Sequence, residues 1–169
     1  MSALVCLRDA EERDLPAVHE IYQHYVRTST CTYQLEPDDL EATRVWFAQH
    51  DPARHPIVVA ESAGTVVGWG SLSPYRARAG YAHTVENSVY VDHRRHGQGI
   101  GSALLAALIE RARAIGHHAI LAGIDGEQTT SVRLHEKHGF EKVAHLREGG
   151  SKFGRWLDVV YMELLLSSG

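Results

Sequence analysis

The sequence predicts a mixed α/β (α+β) domain in which helices cover both faces of a central sheet. The first observation is its size and composition, because 169 residues, 44% of them hydrophobic and 22% charged, suit one domain over residues 1–169 with a substantial core. The second is the order of the apolar patterns: strand, two helices, three strands, helix, strand, helix and two strands. The third is a Gly-rich turn that joins a strand to the longest amphipathic helix.

The first half of the chain is predicted to form two helices and a hairpin. Asp14 can cap the first helix, which has Pro16 in its first turn. The Asp51-Pro52 step ends the second helix, and Gly64 belongs to the turn of the hairpin. The predicted elements are a strand at 4–8, a helix from 14 to the loop at 29–34, a helix at 37–49, and strands at 57–61 and 65–73.

The second half of the chain is predicted to alternate strands with helices. Gly116 and Gly139 end the two helices, and the apolar run between these glycines is typical of a strand buried on both faces. Gly149, Gly150 and Gly154 are predicted to join the last two strands. The predicted elements are a basic loop at 74–80, a strand at 84–91, a helix at 99–115, a strand at 119–124, a helix at 129–138, and strands at 140–146 and 157–166.

Charge and composition argue against several classes of partner. The net charge of −4 argues against nucleic acid. The first twelve residues have no apolar signal core, and the longest apolar run, 103–109, is too short to span a bilayer, so no membrane partner is expected. Cys6 and Cys31 are predicted to be reduced thiols of a cytoplasmic protein, with a single disulfide as the alternative.

Twelve histidines raise the question of a metal site. His93 and His96 form one pair with two residues between them, and His135 and His138 form another. A zinc site needs about four ligands, which usually include cysteine or carboxylate partners in an ordered spacing. The sequence shows no such set, so no metal is predicted.

The stretch from Ser88 to Leu105 (SVYVDHRRHGQGIGSALL) predicts a phosphate-binding turn. The first N–H groups of a helix have no intrahelical partner, and the helix dipole adds positive potential there. Gly97, Gly99 and Gly101 allow the backbone to approach a ligand closely. The stretch lacks the Gly-Lys-Ser/Thr end of a P-loop and the spacing of a Rossmann fingerprint. An ordinary Gly-rich turn is the alternative, and the flanking strand and helix favour phosphate binding.

The segment from His96 to Gly101 resembles the acyl-CoA pyrophosphate loop of the GNAT acetyltransferase superfamily, with His96 where that pattern has Arg or Gln. A second segment, 128–140 (QTTSVRLHEKHGF), resembles the superfamily's Asn-x-x-Ala-x-x-Leu-Tyr-x-x-x-Gly-Phe pattern, with Gln128 and His135 in place of Asn and Tyr. The resemblance covers essentially the whole chain. It implies a mostly antiparallel GNAT sheet and acetyl-CoA as cosubstrate.

Three further segments resemble one branch of that superfamily, the phosphinothricin and methionine sulfoximine N-acetyltransferases. They are 30–37 (TCTYQLEP), 76–91 (RARAGYAHTVENSVYV) and 152–158 (KFGRWLD). That branch carries His where other members carry Tyr, which agrees with His135. The branch resemblance implies acetylation of a small amino-acid-like substrate and a homodimer, for which the strand at 160–166 is a candidate contact.

Glu86 and His135 are the candidate catalytic residues. An α-amino group with a pKa near 8 is about 10% neutral at pH 7, so its attack on a thioester needs only a modest base. Glu86 lies just before the turn, where strand alternation can point it into a cleft; the alternative is an exposed strand carboxylate. His135 is the candidate acid or proton relay at the leaving sulfur, and the alternative is a histidine that only packs beside the cofactor.

Arg76 and Arg78 are the candidate substrate-binding residues, because they point the same way in an extended segment and bind acid groups bidentately. A solvated basic loop is the alternative. Tyr33 is a candidate wall of the same pocket, and simple packing of a loop aromatic is the alternative. The residues predicted to contact the cofactor are Val89, Tyr90, Val91, Arg94, Gly97, Gln98, Gly99, Ile100, Gly101, Ser102 and Gln128. Arg95 is expected to add positive charge beside Arg94.

The function predicted from these residues is acetyl transfer from acetyl-CoA to the amino group of phosphinothricin, methionine sulfoximine, methionine sulfone or a related amino acid. Acetylation of a protein or polyamine amine is a second hypothesis. Polyamines favour an acidic pocket, whereas Arg76 and Arg78 favour an acidic ligand. A CoA-binding sensor without turnover is the third hypothesis, and the presence of both Glu86 and His135 argues against it.

Overall fold

A mixed sheet forms the centre of the computed structural model, which describes residues 4–167. The strand order is β1-β2-β3-β4-β5-β7-β6, and every neighbouring pair is antiparallel except the parallel pair β4 and β5. The predicted mixed, mostly antiparallel sheet is therefore confirmed; the ends of the predicted domain, 1–3 and 168–169, lie outside the described residues. The strands are β1 (Val5–Asp9), β2 (Ile57–Ser62), β3 (Thr65–Pro74), β4 (Thr84–Val91), β5 (Ala119–Asp125), β6 (Glu141–Lys152) and β7 (Arg155–Leu165).

Helices cover both faces of this sheet, as predicted. One face carries α1 (Leu15–Thr28) and α2 (Leu40–Ala48), and the other carries α3 (Ile100–Ile115) and α4 (Thr129–Lys137). The crossover that a parallel strand pair requires is α3, which links β4 to β5. Within the described residues, no helix has the length and apolar character that a bilayer-spanning segment needs.

The starts of the first two helices differ from the prediction. The carboxylate of Asp14 does not cap α1 but accepts hydrogen bonds from both terminal nitrogens of Arg8, at 2.7 and 2.8 Å. Asp14 is only 4% exposed, and its carboxylate also accepts from the backbone N–H of Glu11 at 2.8 Å, so both of its oxygens have partners outside α1. The second helix begins at Leu40 rather than at 37, because the side chain of Asp39 caps it by accepting from the backbone N–H of Ala42 at 3.0 Å.

The last two strands are longer than predicted. Gly149 and Gly150 lie inside β6, and the turn of the hairpin lies at Phe153 and Gly154, which have φ angles of 52° and 71°. Gly150 is required for a close approach rather than for a turn, because a Cβ there would lie 2.2 Å from the ring of Tyr33. The glycine-rich sequence therefore marks where the loop after α1 packs against β6.

Two hydrophobic clusters flank the sheet. The cluster beneath α3 includes Leu104 and Leu108, both fully buried, and the cluster beneath α1 and α2 includes Val18 and Trp69. The prediction that the strand at 119–124 is buried on both faces is wrong at one position, because Gly123 is exposed. This glycine opens onto the cleft described next.

Candidate active site

A cleft opens where β4 and β5 separate. The two strands pair only from Thr84 to Glu86 on β4, opposite Ala119 to Leu121 on β5, and beyond this point they diverge. The cavity between them has a volume of about 660 Å³, within the range of about 300–1,000 Å³ that is usual for small-molecule sites. Its lining comes from β4, the following turn, β5, α4 and the end of α1.

The turn after β4 presents backbone N–H groups to this cleft. Gly97 and Gly99 have φ angles of +75° and +78°, which residues with a Cβ rarely adopt. Gly99 immediately precedes α3, so the unpaired N–H groups of the first helical turn face the cavity. Gly97, Gly99, Ile100, Gly101 and Ser102 all line the cleft, so the structure brings this group of predicted cofactor contacts together.

Two neighbouring arginines of this turn have different surroundings. Arg94 does not line the cleft; its guanidinium donates to the carboxylate of Asp92 at 2.7 and 3.0 Å and lowers the pKa of that carboxyl to about 2. Arg95 does line the cleft, and it donates to the hydroxyl of Ser62 at 3.1 Å. The Nε of Arg95 is buried and has no hydrogen-bond partner among residues 4–167. The sequence analysis named Arg94 as a cofactor contact and Arg95 as added positive charge, and of the two only Arg95 lines the cleft. Gln98 also lies outside the cleft lining.

The edge of β4 beyond Glu86 forms one wall of the cleft. Val89, Tyr90 and Val91 line it, and their backbone faces the gap because β5 has moved away. The hydroxyl of Tyr25 donates to the carbonyl of Val91 and is 2.7 Å from Nε2 of His96. An unpaired strand edge of this kind can bind an extended amide chain through its backbone.

Gln128 lines the opposite side of the cleft and belongs to a network that fixes the loop after α1. Its Nε2 donates to the hydroxyl of Thr30 at 3.0 Å, and that hydroxyl donates to Asp125 at 3.1 Å. The hydroxyl of Tyr33 donates to the same carboxylate at 2.6 Å. Lys152 is 3% exposed, and its ammonium donates to the carbonyls of residues 29 and 32 at 2.7 and 2.8 Å.

Tyr33 therefore has a partner in the structure that its sequence context did not suggest. Its ring packs against Gly150, and neither cavity described in this protein is lined by it. Burial and the neighbouring carboxylate raise the pKa of its hydroxyl. Sequence reasoning missed both Asp125 and Lys152; the available signals were an acidic residue at the end of a buried strand and a lysine followed by a tight turn.

His135 lies in the cleft with both ring nitrogens engaged. Nδ1 is 2.7 Å from the carbonyl of Ser131 and must donate to it, so in the neutral ring Nε2 is the acceptor. Nε2 then receives a hydrogen bond from the amide of Asn87 at 3.0 Å. Burial lowers the pKa of His135, which favours this neutral form. A neutral ring in this arrangement has no proton on the nitrogen that faces Asn87.

Asn87 is a cleft residue that sequence reasoning missed. Its Nδ2 holds His135, while its Oδ1 is buried without a hydrogen-bond partner among the described residues. It also lines the cleft. A buried unpaired acceptor beside a ligand cavity is a candidate contact for a ligand N–H group.

Glu86 lies at the point where the strands begin to separate. Strand alternation places Glu86 and Tyr90 on the α1 and α2 face and Asn87 on the face of α3 and α4. Glu86 is in the lining of neither cavity, but its Oε1 is 3.5 Å from where a Cβ of Gly123 would lie, and Gly123 does line the cleft. Glu86 is half-buried, makes no side-chain hydrogen bond within residues 4–167, and has its pKa raised by burial. These are the properties of a carboxylate able to accept a proton.

Arg76 and Arg78 lie outside both cavities, on the exposed connection between β3 and β4. The guanidinium of Arg76 lies over the rings of Tyr75 and Tyr81, at 5.1 and 5.7 Å from their centroids. The connection leaves the sheet next to Glu86, because Glu86 pairs with Ser73 at the end of β3. The two arginines are therefore close to the candidate base along the chain and free of ion pairs within the described residues.

No group of three or more His, Cys, Asp or Glu side chains that could hold a metal ion occurs between residues 4 and 167. Both cysteines are unpaired thiols, with Cys6 exposed and Cys31 in the wall of the cleft.

Comparisons with known proteins agree with this geometry. Residues 18–140 match the Acetyltransferase (GNAT) family. An L-methionine sulfoximine/L-methionine sulfone acetyltransferase of Pseudomonas paraeruginosa is 42% identical over 95% of this chain and 94% of its own length. A phosphinothricin acetyltransferase of Sinorhizobium meliloti, solved in complex with acetyl-CoA, is 36% identical with a TM-score of 0.94, covering 100% of this chain and 91% of that one. A ribosomal-protein-alanine N-acetyltransferase of Brucella melitensis is 40% identical with a TM-score of 0.93, covering 95% and 99%.

Proposed function

The chain belongs to the GNAT acetyltransferase family, and we propose that it transfers the acetyl group of acetyl-CoA to the α-amino group of a small amino-acid-like substrate. The observation that carries the proposal is the position of Glu86. Its half-buried carboxylate has no partner in the described residues, and it belongs to the last residue of β4 that pairs with β5. Glu86 is not itself among the residues that line the cleft, but it directly precedes Asn87 and Ser88, which are. Substrates of the relatives named for methionine sulfoximine, methionine sulfone and phosphinothricin are the first candidates.

The residues of the cleft fit the parts of acetyl-CoA. The N–H groups of the turn from Gly97 to Ser102 are suited to the diphosphate, and Arg95 is suited to its negative charge. The open backbone edge from Val89 to Val91 suits the amides of the pantetheine chain. This arrangement directs the thioester toward Glu86 and Asn87 at the inner end.

In the proposed step, the amine nitrogen forms a bond to the thioester carbonyl carbon, the carbon–sulfur bond breaks, and the sulfur leaves as a thiolate. The proton lost by the amine passes to the carboxylate of Glu86, directly or through one water. Burial raises the pKa of Glu86 toward that of the amine, which makes it a better proton acceptor. A thiol with a pKa of about 8.5 leaves without a strong acid. His135 in its neutral form therefore serves this step by holding Asn87 in place.

Arg76 and Arg78 are proposed to bind the acid group of the substrate. Both guanidinium groups are exposed, and the connection that carries them starts beside Glu86, so an α-amino acid can place its carboxylate on the arginines and its amine at the base. A polyamine has no acid group for this pair. An N-terminal peptide amine is the competing acceptor, since its reactive nitrogen has the same chemistry.

A homodimer and a cytoplasmic location complete the proposal. The strand at 160–166 that the sequence analysis named as a contact lies in β7, which pairs with both β5 and β6 over residues 160–163 and has no free edge there. The hairpin of β6 and β7 instead leaves Phe153 54% exposed and Trp156 71% exposed, and such exposed aromatic side chains are typical of an interface. Sedimentation of the purified protein tests the dimer, and a monomer at micromolar concentration contradicts it.

The proposed cytoplasmic location agrees with the two unpaired thiols, which suit a reducing compartment.

A thiol-release assay tests the proposed activity. Acetyl-CoA is incubated with the protein and a panel of methionine sulfone, methionine sulfoximine, phosphinothricin, the standard amino acids, spermidine and an alanine-starting peptide. We expect thiol release with the amino-acid-like compounds above the peptide and spermidine. CoA binding by calorimetry without release on any amine would instead indicate a sensor, and preference for the peptide would indicate a protein acetyltransferase.

A further inference from the structure

A second cavity lies on the sheet face that carries Glu86. It occupies the space between α1, α2, β3 and β4 and has a volume of about 220 Å³. It meets the acetyl-CoA cleft at Ser88 and Tyr90, which line both. Small-molecule sites usually have about 300–1,000 Å³, so this cavity has room for one side chain rather than for a complete substrate.

Aromatic rings form the larger part of the apolar wall of this cavity, and polar side chains line the rest. Trp69 is at the centre of the group, with ring centroids 5.1 Å from Trp46, 5.0 Å from Tyr90 and 6.2 Å from Tyr22. Val18 adds an aliphatic surface. Such a wall favours an apolar chain of a few carbon atoms.

The indole N–H of Trp69 has no partner to donate to. Trp69 is 5% exposed, and its Nε1 is buried without a hydrogen-bond acceptor among the described residues. Two other polar groups of the wall do have partners: the hydroxyl of Tyr22 is 2.9 Å from that of Thr32, and the hydroxyl of Ser73 is 3.3 Å from a ring nitrogen of His50. A buried donor left unpaired is costly, so a ligand that supplies an acceptor here gains that hydrogen bond.

The charges around the cavity indicate which acceptor fits. No Lys, Arg or His is found among its lining residues in the part of the chain that the structure describes. The acidic lining residue is Asp38, which accepts from Gln23 at 2.5 Å and from Gln34 at 3.0 Å. An anionic group in the cavity would therefore lack a cation, and an uncharged oxygen is the better match.

The cavity is also correctly placed relative to the candidate base. Ser88 follows Glu86 by two residues on the same face of β4, which corresponds to about 6.6 Å along a strand. A substrate with its amine at Glu86 can extend its side chain over this distance into the cavity. We propose that this cavity binds the side chain of the acceptor amino acid, and that the indole N–H of Trp69 donates to an uncharged oxygen at its end. The inference rests on the proposed acetyltransferase function.

Trp69→Phe tests the hydrogen bond because it removes the N–H and keeps an aromatic ring. The two informative substrates are methionine sulfone and norleucine, which have side chains of similar length with and without oxygens. We expect the variant to lose about tenfold in kcat/KM for methionine sulfone and less than about twofold for norleucine. Trp46→Phe is the matched control, since it makes the same change in the same wall, and it should affect both substrates by the same factor.

The outcomes separate this inference from the proposed function. If the wild-type protein binds CoA but acetylates no compound of the panel, the function fails. If it acetylates methionine sulfone and norleucine equally well, or phosphinothricin better than methionine sulfone, the function stands and the inference is wrong. The inference is also wrong if Trp69→Phe lowers kcat/KM by the same factor for methionine sulfone and norleucine. Should that variant unfold, quenching of wild-type tryptophan fluorescence by methionine sulfone but not by norleucine, in the presence of CoA, decides the question.

Discussion

The two halves of β4 have the same alternation of side chains but different neighbours. Val85 and Glu86 pair with β3 on one edge and with β5 on the other. From Asn87 to Val91 the strand pairs with β3, while its second edge faces the cleft. Val85 is fully buried, whereas the side chains of the open half are only half-buried.

This difference shows how one strand can provide both a rigid frame and a binding surface. In the first half, backbone groups are used by the sheet and the strand is held on both sides. In the second half, the backbone groups toward β5 have no strand partner and are available to a ligand, except the carbonyl of Val91, which accepts from the hydroxyl of Tyr25. Glu86 is the last residue with two neighbouring strands, so its backbone is held on both sides where the open region begins. The proposed proton transfer thus takes place at Glu86, where pairing with β5 ends, and the ligand binds along the open half of β4.

Glu86→Gln tests the proposed base at the end of the β4–β5 pairing, and it has the largest expected effect on turnover. The amide cannot accept the amine proton, so kcat should fall about 100-fold or more, while the dissociation constant for CoA changes less than about twofold. Steady-state kinetics and calorimetry measure the two quantities. Glu141→Gln, an exposed carboxylate at the start of β6, is the control and should leave both unchanged.

The pH dependence makes the same test sharper. Only the ionised carboxylate accepts a proton, and burial raises the pKa of Glu86, so kcat/KM of the wild type should fall as the pH decreases through that raised pKa. The limb caused by protonation of the free amine, near pH 8, belongs to the substrate and should be present in both proteins. The lower limb should be absent in Glu86→Gln. If the variant retains the lower limb and full turnover, Glu86 is not the base.

Gly99→Ala tests the phosphate-binding turn against a control in the same helix. Gly99 and Gly116 flank α3 at its two ends with φ angles of +78° and +92°, and a Cβ at either position would meet open space. Both alanine variants should lower the free energy of unfolding by about 1 kcal/mol, since both place a Cβ in a left-handed conformation. Only Gly99→Ala should weaken CoA binding, by about 30-fold, because the N–H groups near it face the ligand. Equal CoA affinity in the two variants would contradict the proposed diphosphate site.

Local sequence signals predicted much of the fold and part of the site. The glycine turn at 97–101 follows from spacing alone, because positive φ angles and a helix start are local properties. The alternation on β4 also predicted that Glu86 points into a cleft, which stays a prediction because Glu86 lines neither cavity. These predictions depend on residues near one another in the chain, and the structure keeps the residues of the turn together at one end of α3.

Long-range partners account for what the sequence could not provide. Gly150 contacts Tyr33, more than a hundred residues away, and no local pattern distinguishes that close approach from a turn. The network around Asp125 joins β5 to the loop after α1 in the same way. The choice between Arg94 and Arg95 depends on which guanidinium Asp92 occupies, and spacing gives both the same chance.

Arg94 and Arg95 are neighbours in the same turn, and their replacement gives the smallest expected change in CoA affinity. Arg95→Gln should weaken CoA binding about tenfold, because it removes a cation next to the diphosphate in a partly buried position. Arg94→Gln should change it less than about twofold, since its guanidinium is held by Asp92 away from the cleft lining. Calorimetry at two salt concentrations measures both variants, and the loss in Arg95→Gln should shrink as salt screens the charge. A larger loss in Arg94→Gln would show that the ion pair with Asp92 opens to meet the phosphates, and that the sequence prediction had identified the correct arginine.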